Sequence, residues 1–202
     1  MTPILLTPPA IEPVSLAEQK AWLRNDDASE DDIVAALVSS ARAMVESATR
    51  LCLITQTWRM SLDDWPRATP RGRTGLRDHL IVGAPVAPFH SVAAIQVRDS
   101  SGASHAIDSS NFEVDASPDG ARIMFLVDPP SPGVALGGIW IDVVAGYGDA
   151  PADVPEPLRL AIKMLAARWF ENRGDVEADA AAERLPAPIA ALIAPFRRAR
   201  LT

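Results

Sequence analysis

The hydrophobic period of this chain changes twice, and that change limits its fold more than any single motif. From Ile33 through Leu37, Ala41, Met44, Ala48 and Leu51, apolar residues recur at three-to-four spacing, the stripe of an amphipathic helix over about 30–50. From Thr55 the period falls to two. Trp58, Met60 and Leu62 alternate with Thr57, Arg59 and Ser61, as along a half-buried strand. Further short strands are expected near 80–82, 92–98, 104–107, 112–114, 121–126 and 138–145, divided by turn clusters such as Asp99-Ser100-Ser101-Gly102 and Pro118-Asp119-Gly120. On the last of them Ile139, Ile141 and Val143 are expected to face inward, with Trp140, Asp142 and Val144 on the other face. Past Gly146-Tyr147-Gly148-Asp149 the helical spacing returns in Leu158, Ile162, Leu165 and Trp169. Helices this short must pack together across the insertion, which predicts an α+β fold: a small helical bundle from the N- and C-terminal helices with an antiparallel β insertion. Tight turns between strands imply antiparallel meanders rather than β-α-β crossovers.

Local signals divide the chain into 1–54, an arm and two helices; 55–148, the β insertion; and 149–202, the helices that complete the bundle and end in a basic tail. Pro-rich residues 1–13 read as an extended arm. Ser15 with Glu18 three residues on has the spacing of a capping box, opening a short helix to about Leu23 that Asn25-Asp26-Asp27 breaks. Ser29 with Asp32 is expected to open the second helix, whose first turn holds Glu30, Asp31 and Asp32 where the helix dipole favours acids. Val154-Pro155-Glu156-Pro157 starts the third helix, and Asn172-Arg173-Gly174 supplies its stop. Residues 175–184 read as an acidic, Ala-rich loop or frayed helix, and Pro186 to Phe196 as a short amphipathic docking helix.

Charge and cysteine usage narrow the function. The net charge of the 202 residues is -7, which argues against general affinity for nucleic acid, yet Arg67, Arg71, Arg73 and Arg77 crowd one stretch and Arg197, Arg198 and Arg200 close the chain. A single Cys52 forms no intrachain disulfide and no thiol-metal site, and it fits a reducing cytoplasm or a protein indifferent to redox state. No window of about 18 apolar residues predicts a membrane span, and the first residues lack the basic start and apolar run of a secretory signal.

The constellations of catalysis are missing. His79, His90 and His105 match no metal-binding spacing, and there is no Gly-x-Ser-x-Gly elbow, Walker-type loop or Gly-x-Gly-x-x-Gly turn. Asp63 and Asp64 would point to opposite faces of a strand, and Asp31 and Asp32 are explained by a helix start. A hydrolase would need Asp63, Asp64 or Asp149 to converge. Neither an enzyme nor a cofactor or metal is expected. The Arg67 to Arg77 stretch reads either as a solvated loop or as a contact for phosphates or an acidic partner. A nucleic-acid-binding accessory protein using that loop and the tail is the alternative reading.

Several of these residues together resemble a known family. Pro13-Val14-Ser15-Leu16-Ala17-Glu18 with Lys20, Trp22 and Leu23, the Asp-rich entry to a long Ala-containing helix, and Thr55-Gln56-Thr57-Trp58 form the N-terminal part of the likeness. Ala145-Gly146-Tyr147-Gly148-Asp149, Val154-Pro155, Ala161-Ile162-Lys163-Met164-Leu165 and Trp169-Phe170-Glu171-Asn172-Arg173-Gly174 form the C-terminal part. The chain is similar, over roughly 12–60 and 138–200, to the head-tail connectors of tailed phages, the adaptor or head-completion proteins of long-tailed phages, prophages and gene transfer agents. The resemblance implies a structural protein that assembles as a ring, expected to be dodecameric, beneath the portal, extends the DNA channel and offers a docking surface to stopper or tail-completion proteins. It implies assembly in the bacterial cytoplasm and residence at the head-tail junction of the particle, with DNA passing through the channel without sequence specificity and no membrane partner. Ile189, Leu192, Ile193, Phe196, Arg197, Arg198 and Arg200 are the expected portal-docking residues. Arg67, Arg71, Arg73 and Arg77 are candidates for a channel-facing loop, and Ile33, Leu37, Met44, Leu158, Ile162, Leu165 and Trp169 for the subunit interface or the bundle core.

Overall fold

Ser15 begins the first helix in the way its spacing implies: its hydroxyl accepts the backbone N–H of Glu18 at 3.1 Å. The computed structural model describes residues 3–66, 80–117, 120–172 and 185–198. Helix α1 spans Leu16–Leu23 and stops at Arg24, which takes the left-handed conformation at φ 54°. The capping box is only half made, because the Glu18 carboxylate reaches Arg159 and Lys163 rather than its own helix start.

Helix α2, Asp31–Thr49, does not start at Ser29 as the spacing predicts. Asp27 instead caps a 3-10 turn at Ala28–Glu30, accepting from the Ser29 N–H at 2.8 Å, and α2 grows out of that turn. The core-facing stripe of α2 is Val34, Val38, Ala41, Val45 and Thr49. The predicted stripe is rotated from it by a single position, so Ile33 and Met44 lie exposed and Leu37 is half-buried. Both stripes are apolar, and periodicity alone does not choose between them.

Eight strands follow the order β1 (Ile4–Thr7), β2 (Gln56–Leu62), β3 (Ile81–Ala84), β4 (Phe89–Arg98), β5 (Ser104–Ala106), β6 (Phe112–Ser117), β7 (Gly120–Phe125) and β8 (Ile139–Ala145) among the described residues. Helices α3 (Glu156–Glu171) and α4 (Ala187–Ile193) complete the list, with Pro155 and Pro186 standing at their N-caps. The α+β reading therefore holds. The segment read as an arm contains β1, which pairs antiparallel with β2.

Two compact units result. One comprises Met1–Pro8 and Thr55–Gly146 and contains all the described strands; the other comprises Pro9–Ile54 and Tyr147–Thr202 and contains α1 to α4. The strands form a five-stranded sheet of order β1-β2-β8-β4-β5 and a three-stranded sheet of order β3-β7-β6, all antiparallel. The expected meander survives only in the β4–β5 and β6–β7 hairpins, because β8 inserts between β2 and β4. Its alternation explains why. Ile139, Ile141 and Val143 are fully buried, and Ile141 lies opposite both Met60 and Ile95, which are themselves sealed from solvent. The inward face of β8 thus continues across the apolar residues of both neighbouring strands. Gly120 opens β7 at φ +117°, where a Cβ would stand 2.2 Å from the Ala84 carbonyl oxygen, so no other residue fits that approach.

In the helical unit, Val14, Val38, Ala41, Val45, Leu53, Ile54, Val154, Leu158, Ile162, Leu165, Ile189 and Ile193 form one buried cluster. Cys52 is buried beside the end of α2, as its apolar reading implies. No helix among the described residues is long and apolar enough to cross a membrane.

Candidate functional site

One polar assembly in the helical unit ties α1 to α3. Arg159 donates from Nη2 to both oxygens of Glu18 at 2.9 and 2.8 Å, from Nη1 to Glu156 at 2.8 Å, and from Nε to the Pro13 carbonyl at 3.0 Å. Lys163 adds bonds to Glu18 at 2.9 Å and Glu156 at 3.3 Å, and its ammonium stands 5.8 Å from the Trp22 ring centroid. Desolvation pushes the Glu18 carboxyl up, but the Lys163 hydrogen bond and the Arg159 and Lys163 charges outweigh it and hold the group below its ordinary value. Desolvation likewise works against the Lys163 ammonium, and its bonds to Glu18 and Glu156 keep it raised. Each of these partners is a protein group, so the bonds clamp α1 to α3.

A second clamp holds the N-terminal segment to α2. Arg42 donates to Glu12 at 2.8 Å and to Glu46 at 2.6 Å, and the other Glu46 oxygen accepts the Leu53 N–H at 2.8 Å. In the β unit Arg59 grips Asp142 through two bonds of 2.7 Å each. The Arg59 and Arg98 guanidinium carbons lie 4.4 and 5.1 Å from the Trp140 ring centroid.

Two of the carboxylates weighed for hydrolysis bond backbone groups: Asp63 accepts the Gly137 N–H at 2.8 Å and Asp64 accepts the Trp65 N–H at 2.8 Å. His105 pairs with Asp99 at 2.7 Å within an exposed turn, where hydrogen bonds from the Ser101 hydroxyl and His105 hold the Asp99 carboxyl well below the usual range. Among the described residues no three His, Cys, Asp or Glu side chains gather as a metal site would require. His79 lies outside the described residues.

What remains is surface. Leu158, Ile162 and Leu165 sit in the bundle core with Leu37 and Trp169 packed against it, while Ile33 and Met44 face outward. Ile189 and Ile193, the centre of the expected docking stripe, are 2% and 0% exposed and packed into this chain's own core. The stripe is consumed by the fold itself, leaving Leu192 and Phe196 half-buried and Arg197 exposed. Arg198 turns back on α2: its backbone N–H donates to the Thr49 carbonyl at 3.3 Å and its Nη1 to the Arg50 carbonyl at 3.5 Å, which sets a cation at the negative end of that helix. Arg67, Arg71, Arg73, Arg77 and Arg200 lie outside the described residues, as do 175–184 and Gly174.

Sequence reasoning missed two surface features. One is a groove of about 350 Å³ whose lining includes Trp22, Met164, Ala167, Arg168, Pro186 and Pro188. The other is β1, whose Ile4, Leu5 and Leu6 are 59%, 41% and 42% exposed at the edge of the five-stranded sheet. The three adjacent apolar residues were the only available signal for β1; the groove joins residues too distant in sequence to give one.

No family model and no curated protein matches this chain. Solved structures do. A chain from the virion of a native gene transfer agent particle aligns at 24% identity and a TM-score of 0.77, covering 100% of this chain and 98% of that one. Chains from the neck of an empty gene transfer agent particle computed with C6 symmetry, and from the neck of a native particle computed with C12 symmetry, align at TM-scores of 0.78 and 0.75 with the same identity and coverage. This chain shares its fold, from end to end, with proteins of those particles.

Proposed function

We propose that this chain is a structural head-tail connector of a tailed phage or phage-like particle. It assembles as a closed ring of twelve copies beneath the portal, extends the DNA channel, and presents a docking surface to a stopper or tail-completion protein. The observation that carries this reading is a shared fold over 100% of this chain and 98% of each neighbouring chain, two of them from particle necks. An arrangement of ion-paired clamps and exposed apolar side chains fits a mechanical role.

In this reading the C-terminal segment meets the portal through what its own fold leaves available, Leu192, Phe196 and Arg197, while Ile189 and Ile193 hold the segment in place. The Arg67, Arg71, Arg73 and Arg77 stretch faces the channel and touches DNA phosphates without reading sequence. Electron microscopy of the purified full-length chain mixed with the portal of its own particle tests the assignment. A ring added beneath the portal is expected, and portals left bare in excess chain refute it.

A further inference from the structure

Helix α2 carries two faces. One, Val34, Val38, Ala41 and Val45, is buried in the core. The other runs through Ile33, Ala36, Ser40, Ala43, Met44 and Ser47, all exposed, and carries no charge from Ile33 onward. The helix's remaining charges are accounted for: Arg42 and Glu46 pair with each other, and Asp31 with Lys20. Asp32 at the N-terminal end of the face has no ion-pair partner among the described residues. An uncharged helix face of small and apolar side chains is one that another helix surface approaches closely.

The groove beside Trp22 is its counterpart in shape. It is built from the ends of α1, α3 and α4, with Met164, Ala167, Pro186 and Pro188 supplying apolar walls and Glu171 and Asn172 also lining it. Its volume of about 350 Å³ exceeds a water molecule's share of ~30 Å³ about tenfold, enough for whole side chains. Arg168 on its wall is exposed and, like Asp32, has no ion-pair partner among the described residues.

We infer that the uncharged face of α2 in one copy seats in the Trp22–Met164–Pro188 groove of the next copy, with Asp32 paired to the neighbour's Arg168. A closed ring needs two different, complementary faces on each subunit, repeated head to tail. The helical unit offers a ridge that ends at Asp32 and a groove that carries Arg168 beside Glu171, and neither Asp32 nor Arg168 has an ion-pair partner among the described residues, which supplies the charge and shape complementarity such a contact requires. This contact rests on the connector reading and names the partner of that ring as a second copy of the same chain.

Disulfide trapping tests it. Ser40→Cys, Ala167→Cys and the double variant are made in the full-length chain, whose Cys52 is buried, and oxidised at high protein concentration beside the unsubstituted chain. The two single variants mixed are expected to give a cross-linked dimer, the double variant a ladder of multimers, and each single variant alone only monomer. A dimer from Ser40→Cys alone overturns the contact in favour of α2 meeting α2. A lack of any product beyond that of the unsubstituted chain overturns it as well. Microscopy of the unsubstituted chain on its portal separates the two claims: rings without the cross-link sink the contact and leave the connector reading, whereas a ladder without rings does the reverse.

Discussion

Glu18 and Arg159 are separated by 141 residues of sequence and joined by two hydrogen bonds of 2.9 and 2.8 Å. The pair ties α1 to α3 within the helical unit, although the residues of the strands lie between them in sequence. Glu18→Gln is expected to lower stability by about 1 kcal/mol, because the network is partly exposed and partly screened. Its pH signature is specific. The folded carboxyl is held below its ordinary value of 4.5, so the stabilisation is present above that value and is lost as pH falls through the depressed folded value. Thermal unfolding followed downward from neutral pH should show a steeper acid decline for the parent chain than for Glu18→Gln; parallel curves would refute the assignment.

Ile141 occupies the centre of the five-stranded sheet, opposite Met60 and Ile95. Its truncation to Ala removes wholly buried volume and is expected to destabilise the β unit by about 2–5 kcal/mol, read by denaturant unfolding. A loss below about 1 kcal/mol would mean that the sheet collapses around the gap or is not the core of that unit.

Arg59 and Asp142 face each other across β2 and β8 with two 2.7 Å bonds. Arg59→Lys keeps the charge and loses the fork, so it should recover only part of the stability lost in Arg59→Ala. A double-mutant cycle with Asp142→Ala is expected to return a coupling of about 1–3 kcal/mol, and a coupling near zero would contradict the geometry.

The legible parts of this fold were those with local causes. The alternation of Ile139, Ile141 and Val143 announced both a strand and its inward face, and Leu158, Ile162 and Leu165 announced the core side of α3. The phase of α2 was not legible, since Ile33, Leu37 and Met44 form as good a stripe as Val34, Val38 and Val45, and only tertiary packing selects the second. β1 was obscured by flanking prolines and by pairing with a strand about fifty residues away. The Glu18 carboxylate satisfied the local capping signal in sequence, and a distant Arg–Lys pair won it in the fold.

Ile193 in α4 and Met44 in α2 separate core from surface in one comparison. Ile193→Asp places a charge at a fully buried position and is expected to unfold the helical unit. Met44→Asp, on the exposed face of α2, is expected to leave the unfolding midpoint within about 0.5 kcal/mol of the parent while weakening association between copies. Circular dichroism melts and light scattering check the two halves, and a strongly destabilised Met44→Asp would place that residue in the core.

The central proposal is that this chain joins head to tail. Electron microscopy of particles from cells that lack only this polypeptide tests it most directly. The account predicts DNA-filled heads without attached tails, restored when the chain is supplied again. Particles that acquire tails in ordinary numbers without it would contradict the account.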